Sequence, residues 1–102
     1  MTKYLFNLSG EWIAFQIKKF VFNKNGNWVG WTPFENEDVY TPSGNYLGTI
    51  IGNRLVKKLY HSYRGYPGYP GYPGYPGYPG HPGFAGYKYI PLVEDVDKEL
   101  LK

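Results

Sequence analysis

The chain contains no cysteine, which excludes a disulfide framework, a thiolate metal site and a thiol nucleophile. Small secreted domains often lean on disulfides, so their absence points to a cytoplasmic protein. No run of about 18 apolar residues exists to cross a bilayer. The first residues, interrupted by Asn7 and Glu11, offer no signal-peptide core. Membrane insertion is not expected. Histidine is nearly as scarce: only His61 and His81 are present, and a zinc site needs three or four ligands in one place. Glu35, Glu37 and Asp38 share one loop and read as a solvated acidic surface rather than a calcium site. No phosphate-cradling glycine loop, nucleophile elbow or paired-carboxylate arrangement is recognisable. The sequence thus predicts no catalytic residue, no metal ligand set and no cofactor, in a protein that is not an enzyme.

Charge is also thin. The net charge is +3, and residues 65–83 carry no Lys, Arg, Asp or Glu at all. The basic groups of the preceding body include Lys18, Lys19, Lys57 and Lys58. A mildly basic body is compatible with an anionic partner. It lacks the concentrated stripe of a nucleic-acid binder, so that class of partner is not favoured.

Aromatic and turn-forming residues are abundant: 12 Tyr, 6 Phe, 3 Trp, 14 Gly and 9 Pro among 102 residues. That composition favours turns and extended chain over helices, within one domain. A repeat organises it. Tyr4-Leu5-Phe6-Asn7-Leu8-Ser9-Gly10-Glu11-Trp12-Ile13-Ala14-Phe15 aligns with Phe20-Val21-Phe22-Asn23-Lys24-Asn25-Gly26-Asn27-Trp28-Val29-Gly30-Trp31. Val39-Tyr40-Thr41-Pro42-Ser43-Gly44-Asn45-Tyr46-Leu47-Gly48-Thr49 follows the same pattern. Asn or Thr opening a turn, with Gly at its fourth position, is a type I signature. The Gly supplies the left-handed residue that closes a hairpin with a bulge. Period two places Trp12 with Ala14, Trp28 with Gly30 and Tyr46 with Gly48 on one strand face.

A fourth copy starts at Tyr60-His61-Ser62-Tyr63-Arg64-Gly65, and its outgoing strand resumes at Phe84-Ala85-Gly86-Tyr87. Residues 65–83 then form an insertion in the turn of that hairpin, at an entropic cost of roughly 1.3 kcal/mol. The alternative is a plain linker to a C-terminal tail. Ile50–Val56 reads as strand, Gly-Asn turn and strand, and Lys88-Tyr89-Ile90 as the end of the last strand. Val93, Val96 and Leu100 recur at helical spacing, with acidic residues early and lysines late. The predicted architecture is all-β: about four antiparallel hairpins in a pseudo-symmetric domain over residues 1–92, then a short helix over 93–102.

The insertion carries Pro67, Pro70, Pro73, Pro76, Pro79 and Pro82, each preceded by Tyr or His and followed by Gly. Three residues per turn is the polyproline II period, and a straight tract of this length would reach roughly 60 Å. A 64-residue body is only about 28 Å across, so a tract returning to its own hairpin must bend. Six triplets are too few for collagen. The P-x-x-P spacing fits ligands of aromatic-grooved domains, although the glycines weaken preorganisation. A repeat expansion without a role is the plainest account.

The aromatic residues remain. Trp12, Trp28, Trp31 and Tyr46 either form the core where hairpins meet or face out as a stacking platform. With Tyr66, Tyr69, Tyr72, Tyr75 and Tyr78 they are the candidate ligand- or partner-binding residues. The Asn-x-x-Gly-x-Trp-aliphatic-small pattern, above all Phe22 to Trp31, resembles the uncharacterised bacterial 4-fold beta flower proteins. That resemblance implies four β-hairpin petals around a pseudo-symmetry axis and supplies no catalytic residues. The pattern is also loosely similar to the aromatic repeats of bacterial cell-wall-binding modules, whose repeat lengths are more regular. The leading functional reading is a structural or protein-interaction module that self-associates. A carbohydrate-binding module using exposed aromatics is the second, and single-stranded nucleic acid binding the third.

Overall fold

A computed structural model of the chain describes residues 2–34, 37–61 and 65–102. Of the readings above, Glu35 and the Ser62-Tyr63-Arg64 part of the fourth copy lie outside the described residues. Eight strands form in chain order: β1 (Thr2–Phe6), β2 (Trp12–Ile17), β3 (Phe20–Asn23), β4 (Trp28–Trp31), β5 (Asp38–Tyr40), β6 (Tyr46–Ile51), β7 (Arg54–Lys58) and β8 (Val93–Asp95). Each pairs antiparallel with the next. Seven alternating strands leave β1 and β7 running the same way, so the ring must close through a parallel contact. It does so at Phe6 and Arg54, where Phe6 N donates to Asn53 O at 2.9 Å. β8 takes the rest of that β7 edge, giving a closed seven-stranded barrel with one added strand.

The three turns from the repeat form as their residues dictate. Gly10 N donates to Asn7 O, Gly26 N to Asn23 O and Gly44 N to Thr41 O, at 3.1, 3.0 and 2.9 Å. The glycines take φ of +94°, +84° and +96°, a region that costs any residue with a Cβ. The opening side chains cap the turns: Asn7 Oδ1 accepts from Glu11 N, Asn23 Oδ1 from Asn25 N and Asn27 N, and Thr41 Oγ1 from Asn45 N.

A second irregularity, not visible in the repeat, follows each turn. Leu5 pairs with Ala14 but Phe6 with Trp12; Val21 with Gly30 but Phe22 with Trp28; Val39 with Gly48 but Tyr40 with Tyr46. Each outgoing strand therefore carries one extra residue: Ile13, Val29 or Leu47. This bulge cancels the period-two expectation, because an inserted residue resets which face the next side chain meets. Ala14 joins the inner core, whereas Trp12 lies with the outer aromatics. The inner core holds Leu5, Val21, Val39 and Leu55, all fully buried and one from each successive strand pair. Small residues on the outgoing strands allow the tight fit. A Cβ on Gly30 would lie 2.8 Å from Tyr40 O, and one on Gly48 would lie 2.8 Å from Val56 O.

Three expectations are corrected. A discrete fourth hairpin from Tyr60 to Tyr87 does not form: Phe84–Tyr87 and Lys88–Ile90 are outside any strand, and β7 pairs instead with β8, the chain between them running through residues 59–92. The C-terminal segment is not an α-helix. Val93–Asp95 is strand and Lys98–Leu101 a 3-10 turn, because the open edge of β7 offers ladder partners that a ten-residue helix, marginal alone, does not outweigh. Val96 then enters the inner core and Leu100 and Leu101 pack against it. The tract is not polyproline II either: every glycine from Gly65 to Gly83 has φ between +84° and +91°, where that helix needs about −75°. Among the described residues no helix is long and apolar enough to cross a membrane.

Two-residue turns join β2 to β3 through Lys18-Lys19 and β6 to β7 through Gly52-Asn53. The first central residue has φ +56° at Lys18 and +62° at Gly52. Glycine is the residue such a position favours, and Lys18 holds it under strain. Lys18→Gly is expected to raise unfolding free energy by about 0.5–1 kcal/mol, measured by denaturant titration; a loss of stability would contradict this turn.

Candidate functional site

The outer face of β1–β4 is as apolar as the barrel interior. Phe6, Trp12, Phe15 and Phe22 are buried there, flanked by Tyr4, Ile17, Phe20 and Trp28. An outward-facing cluster stays dry only if something covers it, and here residues 65–86 do so. On each hairpin the ring after the turn is held against its strand. Trp12 Nε1 donates to Ala14 O at 2.7 Å and Trp28 Nε1 to Gly30 O at 2.8 Å. The Tyr46 hydroxyl, at the equivalent place, bonds Thr49 Oγ1 at 2.6 Å. These fixed rings form platforms for what lies above.

The chain crosses the hairpins in reverse order. His61 stacks on Tyr46 at 3.7 Å with planes 12° apart, and Tyr66 sits on Gly44. Tyr69 and Tyr72 flank Trp28 at 5.6 and 5.9 Å between ring centres, and Tyr75 covers Gly26. Tyr78 and His81 then flank Trp12 at 6.0 and 5.1 Å, while Tyr4 OH donates to Pro79 O at 2.7 Å. Gly86 finally rests on Gly10. Between platforms the tract arches over Ile17, Lys18, Phe20 and Phe22, leaving a groove of about 400 Å³.

The candidate aromatics therefore divide. Trp12 and Trp31 are 5% and 7% exposed, Trp28 and Tyr46 half-buried. The outward rings are Tyr66, Tyr69, Tyr72, Tyr75 and Tyr78, each 59–67% exposed. Trp31 stands apart from the tract: Lys19 Nζ lies 5.7 Å over its ring, and its buried Nε1 has no hydrogen-bond partner among the described residues.

Sequence reasoning missed the clasp that ends the tract. Arg54 is 5% exposed and donates to Gly86 O at 2.7 Å, Asn7 O at 3.0 Å and, through Nε, Asn53 Oδ1 at 3.0 Å. Ala85 N donates to Gly10 O and Lys88 N to Leu8 O, and Leu8 N donates to Asp95 Oδ1. One guanidinium, with five donors in a rigid fork, thus ties the barrel seam, the first turn and the returning chain together. No local motif marks it among the other basic residues.

His61 sits beside a carboxyl: Nε2 lies 3.4 Å from both Asp38 Oδ2 and Tyr40 OH, and Thr49 Oγ1 donates to Asp38 Oδ1 at 2.8 Å. Burial alone pushes the Asp38 carboxyl up. The Thr49 hydrogen bond, then that of His61 and the charges of His61 and Lys58, more than offset it and hold the pKa below the ordinary value of 3.8. Among the described residues no group of three or more His, Asp or Glu could hold a metal ion.

Two measurements follow. A carboxyl with a depressed folded pKa stabilises the fold above its unfolded value and loses that contribution as pH falls through the folded one. Asp38→Asn should cost about 1–3 kcal/mol at neutral pH, and the gap to wild type should shrink in denaturant titrations below pH 3.8; a constant gap would contradict this. Gly26→Ala places a methyl 2.5 Å from Tyr75 Cε1, whereas Gly68, at the same φ of +84°, has open space around it. Gly68→Ala should cost about 1–2 kcal/mol of backbone strain and Gly26→Ala clearly more, so equal thermal shifts would show that Tyr75 does not rest on that turn.

The sequence model of the 4-fold beta flower protein family matches residues 1–94, a span covering the barrel and the tract. No curated protein and no solved structure matches the chain.

Proposed function

The chain belongs to the 4-fold beta flower protein family, and on that premise we propose a non-catalytic structural and protein-interaction module that self-associates through its Gly-Tyr-Pro tract. In this reading β7 and β8 are the fourth petal, its turn expanded into residues 59–92. The observation that carries the reading is the row of five tyrosines, each with one flank on the barrel and more than half its surface outward. Phe84, Tyr87 and Tyr89 extend the exposed aromatic surface at 72–73%. Contiguous exposed apolar surface marks interaction sites, and tyrosine gives large contact area at low entropic cost. Because residues 65–83 bear no Lys, Arg, Asp or Glu, two copies can bring their tracts together without opposing like charges, despite the net charge of +3.

Light scattering on the wild-type chain across a wide concentration range should show mass rising with concentration and little affected by salt. A monomer mass throughout would overturn self-association. A second reading, carbohydrate binding, is supported by flat faces beside exposed phenol hydroxyls. Titration with cell-wall glycan fragments should then change tyrosine emission at constant mass, and an unchanged spectrum would count against it.

A further inference from the structure

The tract and the barrel share a period. Tyr66 covers Gly44 of the third hairpin, and Tyr75, three triplets later, covers Gly26 of the second. Tyr69 and Tyr72 flank Trp28 of the second hairpin, while Tyr78 and His81, again three triplets later, flank Trp12 of the first. An adventitious drape of loop over barrel has no reason to repeat its contacts at the spacing of the hairpins.

We propose that the hairpins carry binding seats for Tyr-Pro-Gly triplets, built from a platform ring and a bare turn glycine, and that the tract fills them in register at three triplets per hairpin. The seat is complete on the second hairpin, at Trp28 and Gly26; the tract takes only Trp12 on the first, where the Gly86 backbone lies on Gly10, and only Gly44 on the third, where His61 stacks on Tyr46. The ligand class is an uncharged segment with an aromatic ring at every third position. Each residue of the triplet has a task. The ring meets a platform edge-on or tilted, as quadrupoles prefer, or lies on a glycine where any Cβ would collide. Proline has no N–H to leave unpaired against an aromatic wall. Glycine takes the positive φ that lets the chain follow a curved surface. The tract glycines from Gly65 to Gly83 have nothing within 4 Å of a notional Cβ, so their presence reflects backbone conformation rather than lack of room. Length is set by the same fit: the tract must run from the third hairpin to the Arg54 clasp on the first. The inference concerns the inner side of the tract and stands whether or not the outer edges meet a second copy.

The test empties the seats in the full-length chain with Tyr69→Ser, Tyr72→Ser, Tyr75→Ser and Tyr78→Ser together. A synthetic peptide of six Gly-Tyr-Pro triplets is then added while indole emission is followed. The peptide should bind saturably and shift emission toward that of the wild type, a peptide with Ser for Tyr should not, and the wild-type chain, its seats filled, should respond at least tenfold more weakly. A variant that is folded by circular dichroism but unresponsive to the Tyr peptide overturns the proposal. A second measurement holds even if that variant unfolds. Deleting Tyr72-Pro73-Gly74 should lower the denaturation midpoint markedly, because one ring is lost and the span to the clasp shortens. Inserting one further triplet after Gly74 should leave the midpoint nearly unchanged, since it loops out at the small entropic cost of a longer loop. Equal, slight effects of deletion and insertion overturn the proposal.

Discussion

The structure depends on a constraint at three glycines. Gly10, Gly26 and Gly44 must each adopt a positive φ for the hairpin to turn, and each must also present no side chain, because another part of the chain lies on it. Backbone conformation and surface shape are thereby fixed by the same atom that is missing. The turn sets the register of its strands, the register places the bulge, and at the bulge the preceding ring stays outside while the aliphatic residue after it turns in. Two apolar faces result, an inner one sealed by barrel closure and an outer one that needs a cover.

Closure and cover meet at one residue. A fully formed antiparallel barrel with an odd number of strands has a seam where two strands run parallel, here touching at Phe6 and Arg54. Burying a guanidinium is costly unless its donors are satisfied, and Arg54 satisfies them with carbonyls from the first turn and from the end of the tract. Breaking either set would leave a buried cation short of partners. Seam and tract therefore stand or fall together.

Much of this was legible in the residues. Asn7, Asn23 and Thr41 with their glycines announced three turns, and Gly52-Asn53 a fourth reversal, since the φ requirement of a turn is a local property. The family likeness rested on the same letters. What stayed hidden was non-local. The pairing of β7 with β8 was obscured because residues 59–92 separate two short strands, and the hydrophobic spacing of Val93, Val96 and Leu100 also suits a helix. The bulges at Ile13, Val29 and Leu47 arise from pairing rather than from any turn residue. The tract was misread for a related reason: a triplet considered alone favours polyproline II, whereas in the fold its glycines take positive φ as the chain passes over the barrel. Trp12 and Trp28 belong to the outer aromatic cluster and Trp31 does not, while the tract tyrosines are left largely open to solvent, three of them flanking those two indoles.

The direction in which the tract crosses the hairpins has a consequence for biosynthesis. Chains emerge from the ribosome N-terminus first, yet the last part of the cover, Gly86, seats on the first hairpin made, and β8 completes the edge of β7 later still. Until then Phe6, Trp12, Phe15 and Phe22 face water on a nascent sheet. Long-range contacts of this kind slow folding, and bare aromatic surface in the interval invites aggregation. A chain cut short within the triplets would leave that outer face bare on its most adhesive side, with the β7 edge open as well.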